Sequence, residues 1–280
     1  MLTRDIIGEI MRITFVLAAV LAFSPLCVAY TQADSLDDTL DAPHRTSAEK
    51  ARDSYRHPAK TLRFFNVEAD MAVVEIWPGS KGWYTAILAP YLRDNGTYYA
   101  AQFPPDSNIP FYQRSLIQFK TRLAKQDEIY NKVRITHLYP PVYNDIAPAG
   151  TVDRVLTFRN VHNWAKSGKG EAAFKSFYKA LKPGGVLGVV EHRAPEVRPL
   201  ERQIETGYMS EGYVIALAEK AGFTLVDRSE INANPKDQIN HPAGVWTLPP
   251  TLRLGDKDRE TYEAIGESDR MTLKFLKPEH

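Results

Sequence analysis

The stretch VVEIWPGSKGWYT, residues 73–85, decides the fold. A short apolar run reaches an acid, Glu75, and a Pro-Gly-x-x-Gly turn at residues 78–82 then leads directly into a helical pattern. In a parallel sheet such a turn lies at the carboxyl edge of the strands, where α/β proteins bind ligands. Gly79 and Gly82 let the backbone come close to a ligand, and the helix start offers free N–H groups. The stretch therefore predicts a binding turn, with a plain connection as the alternative.

Short apolar runs and amphipathic stretches alternate on both sides of this turn. The runs predict strands over residues 71–76, 98–103, 133–138, 152–158, 186–190, 224–226 and 271–276. The amphipathic stretches predict helices over residues 83–92, 109–123, 174–181 and 214–221, and a capping box at residues 46–49 opens a short helix before them. Strands separated by helices of this length form a mostly parallel sheet with helices on both faces. The sequence therefore predicts an α/β fold.

Residues 232–269 depart from this alternation. They are rich in proline, glycine and charge, and they precede the last predicted strand. A long insertion of this kind is usually a lid or a binding loop. We expect it to cover the ligand site.

The first 29 residues have the layout of a secretory signal. A basic residue at Arg12 precedes an apolar run over residues 13–23, which is too short to span a bilayer, and cleavage after Ala29 fits the small residue there. Translation is expected to start at Met1 or at Met11. Cleavage would remove Cys27, the single cysteine, and a chain without thiols suits an oxidising compartment. We expect a periplasmic protein without a stable membrane anchor after cleavage and with a flexible lead-in over residues 30–45; lipidation at Cys27 and an uncleaved anchor are the alternatives.

The composition excludes several classes of protein. The 280 residues are 44% hydrophobic and 25% charged, as in a globular protein, and the net charge of +1 gives no reason to expect nucleic acid as a partner. The seven histidines are scattered without a close pair followed by a carboxylate, so no metal site is expected. No G-x-S-x-G motif is present. A small molecule is the expected partner, and the oligomeric state is left open.

Further segments occur in an order that resembles a known family. The run LKPGG at residues 181–185 precedes a strand, and AGF at residues 221–223 precedes the next one. With the turn, these segments resemble class I S-adenosylmethionine-dependent methyltransferases. The segments EIWPG at 75–79, FRNVHNW at 158–164 and ESDRM at 267–271 look like predicted bacterial methyltransferases that carry signal peptides. The resemblance covers residues 46–278 and implies one domain with a Rossmann-like, seven-stranded sheet whose last strand is antiparallel.

The resemblance also implies where S-adenosylmethionine binds. The 75–82 loop would wrap the amino-acid end of the cofactor, and the implied contacts are Glu75, Pro78, Gly79, Ser80, Gly82, Tyr84, Gln102, Arg159 and Asn160. The sequence departs from the family pattern at two places. Trp77 stands at the first glycine of the loop, and Gln102 stands where an acid normally binds both ribose hydroxyls. A neutral amide makes a weaker bond than a carboxylate, and the donor interpretation requires a hollow beside Glu75 and Gln102.

Two clusters carry candidate catalytic groups. His162 follows the fourth predicted strand and could act as a base near neutral pH, with Asn160 orienting the acceptor and Trp164 forming an aromatic wall. Glu191 and His192 end the fifth predicted strand at the same edge of the sheet. The alternative is structural, with His162 capping a helix and Trp164 packing in the core.

These observations leave three functions to compare. The first is an S-adenosylmethionine-dependent methyltransferase acting on an unidentified small molecule. The second is a non-catalytic periplasmic binding or accessory protein that retains the fold. The third, a nicotinamide oxidoreductase, is weaker, because Gly79 and Gly82 give only part of the G-x-G-x-x-G spacing.

Overall fold

The computed structural model describes residues 35–279, so the predicted signal segment and its cleavage site lie outside the described residues. Eight strands form one sheet: β1 (Ala72–Ile76), β2 (Thr97–Gln102), β3 (Arg134–His137), β4 (Val152–Phe158), β5 (Leu181–Ala194), β6 (Met209–Ser210), β7 (Thr224–Ser229) and β8 (Arg270–Leu276). Seven of them lie in the order β3-β2-β1-β4-β5-β8-β7, and the two-residue β6 pairs with the end of β5.

The last strand is the antiparallel one. β8 runs antiparallel to both β5 and β7, whereas β1 to β5 pair in parallel. β1 lies between β2 and β4, and Glu75 is paired with Ala100 on one side and Leu156 on the other. The predicted α/β fold, with a mostly parallel sheet and an antiparallel last strand, is confirmed. The carboxyl ends of β1, β4 and β5 therefore meet at one edge.

Helices surround the sheet: α1 (Leu36–Asp41), α2 (Ser47–Lys50), α3 (Asp53–Arg56), α4 (Pro58–Phe64), α5 (Thr85–Tyr91), α6 (Pro110–Lys125), α7 (Asp127–Tyr130), α8 (Val161–Ser167), α9 (Gly170–Ala180), α10 (Leu200–Thr206), α11 (Glu211–Lys220) and α12 (Arg259–Ile265). Because both faces of the sheet are covered, a central strand such as β1 reads as a nearly continuous apolar run. Helix α9 ends at Ala180, one residue before the end that the periodicity predicts, and β5 begins at Leu181.

The segments at the two ends of the domain are packed against it. Within the expected lead-in, residues 36–41 form α1, and Arg45 is buried and paired with Asp53. The capping box of α2 is present, since Thr46 and Glu49 exchange the two expected hydrogen bonds. Residues 244–247 of the predicted insertion form a 3₁₀ turn, and α12 follows. Within residues 35–279, no helix has the length and apolar character that a membrane crossing needs.

Candidate active site

A cavity of about 260 Å³ opens at the carboxyl edge of the sheet, beside the turn that follows β1. Residues 77–79 after β1, residues 158–160 at the end of β4, and His192 in β5 form its sides. The predicted insertion, residues 232–269, supplies seven further lining residues: Val245, Trp246, Pro249, Pro250, Thr251, Glu267 and Ser268. A larger hollow of about 350 Å³ lies at the amino ends of β2 and β3, away from this edge. The cavity beside the turn is therefore the candidate site, and the insertion covers it as expected.

His162 and Glu191 form a hydrogen-bonded pair at this cavity. The imidazole of His162 lies 3.1 Å, through Nδ1, from Oε1 of Glu191, whose side chain is fully buried. The backbone N–H groups of Val161 and His192 donate to the same carboxylate. Because Glu191 holds Nδ1, Nε2 is the ring nitrogen of His162 left for a ligand. A carboxylate that orients an imidazole in this way is the arrangement of a general base.

His192 lies next to this pair. Its ring centroid is 5.6 Å from that of His162, and its Nδ1 lies 2.6 Å from the hydroxyl oxygen of Ser268. Burial lowers the pKa of His192 well below its usual range, and His162 and Arg159 lower it further. His192 is therefore neutral at pH 7. The indole of Trp246 lies 5.9 Å from His162 and adds an aromatic wall.

The fold brings His162 close to Glu191 and His192, which lie about 30 positions later in the sequence. His162, Glu191 and His192 place three potential metal-ligand atoms within 4.8 Å of one another. The expectation of no metal site rested on spacing along the sequence, which does not show this proximity. However, both oxygens of Glu191 already accept hydrogen bonds, and nearby arginines make the region unfavourable for a cation. The group is better suited to proton transfer than to metal binding.

Several arginines converge on Glu267 at the border of the cavity. Oε1 of Glu267 accepts from Arg52 at 2.7 Å, and Oε2 accepts from Arg56 at 3.1 Å and from Arg270 at 3.2 Å. Burial opposes ionisation of Glu267, but these neighbours lower its pKa to about 2. Burial, together with repulsion from Arg159, lowers the pKa of Arg56 to about 9. Glu267 and Arg56 are therefore both charged at pH 7.

The binding turn has two residues with unusual backbone angles. Gly79 has φ +72°, and a Cβ atom placed there would meet nothing within 4 Å. The turn is therefore open to a ligand at Gly79. Trp77 has φ +46°, which is uncommon for a bulky residue and costs backbone strain.

The indole of Trp77 fills the space between the ends of β1, β2 and β3. It packs at 4.8 Å from Phe103 and 5.3 Å from Trp164, and Nε1 donates to the carbonyl of Leu138 at 3.0 Å. Gln102 is fully buried and donates from Nε2 to the carbonyl of Gly79 at 3.0 Å. The side chain expected to bind ribose hydroxyls therefore holds the turn instead. The turn thus has open space at Gly79, where the family resemblance expects the amino-acid end of S-adenosylmethionine, whereas the Trp77 indole occupies the space beside the ends of β2 and β3, where it expects the nucleoside.

Glu75 is buried behind the turn. Tyr98 and Thr85 both donate to its carboxylate, and burial raises its pKa to about 7. Neither Glu75 nor Gln102 lines the cavity, which lies beside Gly79 and His162 instead. The cavity therefore does not meet the requirement of a hollow beside Glu75 and Gln102, and this counts against the donor interpretation. Tyr84 is also buried, and its ring stacks on Phe158 at a centroid distance of 3.7 Å.

The other predicted site residues divide into two groups. Pro78, Gly79, Arg159, Asn160, His162 and His192 line the cavity, whereas Ser80 and Gly82 do not. Asn160 uses its amide to donate to the carbonyl of Ile76 at 2.9 Å, which ties the ends of β1 and β4 together. Trp164 is fully buried in the core, as the structural alternative proposed. Sequence reasoning did not give a role to Glu267, although the ESDR run that contains it was among the distinctive segments.

Comparisons with known proteins support the fold. No family model matches the chain, and no curated protein matches it. Among solved structures, it is similar to a SAM-dependent methyltransferase from Aquifex aeolicus, with 14% identity and a TM-score of 0.53 over 87% of this chain and 98% of the other. It is similar to the [4+2]-cyclase SpnF, with 17% identity and a TM-score of 0.54 over 85% of each chain. It is also similar to human N-acetylserotonin methyltransferase in complex with SAM, with 13% identity and a TM-score of 0.50 over 87% of this chain and 57% of the human one.

These similarities establish the fold and not the reaction. The chain has the fold of SAM-dependent class I methyltransferases, and the names of its neighbours differ. One of them is named as a cyclase, so proteins of this fold are associated with more than one chemistry.

Proposed function

We propose that this chain is an S-adenosylmethionine-dependent methyltransferase that acts on a small molecule in the cavity beside Gly79. The observation that carries the proposal is the His162–Glu191 pair, which lies in the same cavity as the open turn at Gly79. The neighbouring structures support the cofactor through the fold.

The residues of the cavity divide the work of such a reaction. The open backbone at Gly79 would hold the amino-acid end of the donor, which supplies a methyl group when bound. His162 would take the proton from an acceptor hydroxyl or ammonium at Nε2, and Glu191 would stabilise the imidazolium that forms. Trp246 and the prolines of the insertion line the cavity and would limit the access of water to that proton transfer. Positioning an acceptor against the donor supplies much of the rate, on the order of 7 to 11 kcal/mol.

A second function has a specific observation in its favour. The Trp77 indole occupies the nucleoside end, as expected of a protein that keeps the fold and binds a different small molecule without methyl transfer. In the first function the indole has to leave this place when the donor binds. In the second it stays.

One calorimetric titration separates the two functions. S-adenosylmethionine and S-adenosylhomocysteine are titrated into the chain beginning at residue 30, its Gly79→Arg variant and its Trp77→Gly variant. Binding by the unsubstituted chain that Gly79→Arg abolishes supports the methyltransferase, because an arginine side chain would fill the open space. Absence of binding by folded samples of both the unsubstituted chain and Trp77→Gly refutes it and supports the second function.

We also propose that the protein works in the periplasm, on a small molecule and not on nucleic acid. The support is the signal-like segment at residues 11–29 and the balanced charge of the chain. Fusing residues 1–45 to a reporter that is active only after export tests the location. An inactive reporter would contradict it.

A further inference from the structure

The border of the cavity carries more positive charge than the protein itself neutralises. Arg52, Arg56 and Arg270 share the single carboxylate of Glu267, and Arg159 lies close enough for its charge to act on Arg56 and on Glu267. Three guanidinium groups thus contact one carboxylate and a fourth acts on it electrostatically, so four positive charges face one negative charge.

Arg159 is the member of this group that faces the cavity. It is partly buried and lines the cavity wall. Among residues 35–279, no carboxylate or carbonyl accepts a hydrogen bond from its guanidinium, whereas its backbone N–H donates to Val190 at 2.7 Å. Its φ of +63° shows that the backbone there adopts a costly conformation. Strain of this kind persists where the surrounding structure holds a residue in place, often at a ligand site.

The arrangement is unfavourable without a ligand. Burial lowers the pKa of Arg159 to about 10, with Arg270 acting in the same direction and Glu267 against it. An unpaired guanidinium beside other cations is costly in a partly water-excluded cavity, and an anion removes that cost. A planar guanidinium binds carboxylates and phosphates through two parallel hydrogen bonds. A divalent cation would be repelled by the same charges.

We propose that the acceptor is an anionic small molecule whose carboxylate or phosphate group is bound by Arg159. The identification of the anion as the methyl acceptor rests on the proposed function. Binding of the anion by Arg159 does not, because it needs no methyl transfer. The bound anion would lie in the cavity that His162 and Trp246 also line. The amino-acid carboxylate of the donor is the other source of the same chemistry, and the experiment separates the two.

The test is thermal unfolding of the folded chain at constant ionic strength, with inorganic phosphate replacing chloride. Phosphate should raise the melting temperature of the unsubstituted chain. Arg159→Gln should lose that response while melting at or above the temperature of the unsubstituted chain in chloride, because the substitution removes repulsion. Arg159→Lys keeps the charge and should retain part of the response. Arg259→Gln, at an exposed arginine paired with Glu263, is the matched control and should respond like the unsubstituted chain.

An equal phosphate response in Arg159→Gln and in the unsubstituted chain would overturn the proposal. A titration of S-adenosylhomocysteine into Arg159→Gln shows whether Arg159 binds the acceptor or the carboxylate of the donor. Affinity within twofold of the unsubstituted chain supports an acceptor anion, whereas a loss of tenfold or more assigns Arg159 to the carboxylate of the donor and overturns it.

The two proposals fail separately. A phosphate response that depends on Arg159, in a chain that binds neither S-adenosylmethionine nor S-adenosylhomocysteine, refutes the methyltransferase and supports the anion site. Donor binding without any phosphate response supports the methyltransferase and refutes the anion site.

Discussion

Replacing Trp77 with glycine should weaken the fold and strengthen nucleoside binding at the same time. The indole is 9% exposed, packs against Phe103 and Trp164, and donates to the carbonyl of Leu138. Removing a buried tryptophan costs about 3 to 5 kcal/mol, whereas glycine at a positive φ recovers about 1 kcal/mol of backbone strain. We therefore expect a net loss of about 2 to 4 kcal/mol in the free energy of unfolding.

The same substitution opens the place where the proposed function puts the nucleoside. In the unsubstituted chain the indole has to give up its hydrogen bond and part of its packing before a nucleoside can enter, at a cost of about 1.5 to 3 kcal/mol. A cost of this size lowers the observed affinity by roughly tenfold to a hundredfold. Trp77→Gly should bind S-adenosylhomocysteine more tightly by that factor.

Urea unfolding and calorimetric titration with S-adenosylhomocysteine measure the two effects. The matched control is Trp83→Ala, because Trp83 is 6% exposed, donates from its indole to the carbonyl of Glu49 and does not line the cavity. The control should lose comparable stability without a change in affinity. Unchanged affinity in Trp77→Gly, or an equal gain in the control, would refute the reasoning.

Three further predictions concern buried ionisable groups. His162→Gln should lower turnover by about 10² to 10⁴ while S-adenosylhomocysteine affinity stays unchanged in calorimetry; equal losses in both would contradict its role as a base. Glu75 has a pKa of about 7 against the usual 4.5, so the native chain retains a proton there that the unfolded chain releases, and this contribution to stability is lost as pH rises from 4.5 through 7. Urea unfolding at several pH values should therefore show that the free energy of unfolding of Glu75→Gln rises, relative to that of the unsubstituted chain, by on the order of 3 kcal/mol across that range. The same pH dependence of the unfolding free energy in both proteins would disprove the assignment. Glu267→Gln leaves its arginine partners unpaired and should cost about 3 to 5 kcal/mol at pH 7, whereas the exposed Glu263→Gln should cost less than about 1 kcal/mol; similar losses in both would be incompatible with a buried charge network.

The sheet could be predicted from the sequence because its strands are covered on both faces. A nearly continuous apolar run such as residues 71–76 can be read directly, and β1 spans Ala72–Ile76. The antiparallel last strand came from the family resemblance, and the register of β8 against β5 confirms it. Strand positions and their order therefore follow from local patterns and from the resemblance.

The interior of the site could not be predicted in the same way. The direction of the Trp77 indole depends on a positive φ and on a carbonyl 61 positions away in sequence. The contact between Arg56 and Glu267 joins residues 211 positions apart. The sequence placed His162, Glu191 and His192 at one edge of the sheet, but their hydrogen bonds depend on side-chain conformations that no local pattern determines.

The most direct test of the proposed donor site is a crystal structure of the chain grown with S-adenosylhomocysteine at millimolar concentration. We predict density for the amino-acid end of the ligand beside Gly79, its sulfur facing the side of the cavity that carries His162, and the Trp77 indole displaced from the carbonyl of Leu138. A structure with the indole still bonded to Leu138 and no ligand beside Gly79 would contradict the proposed function.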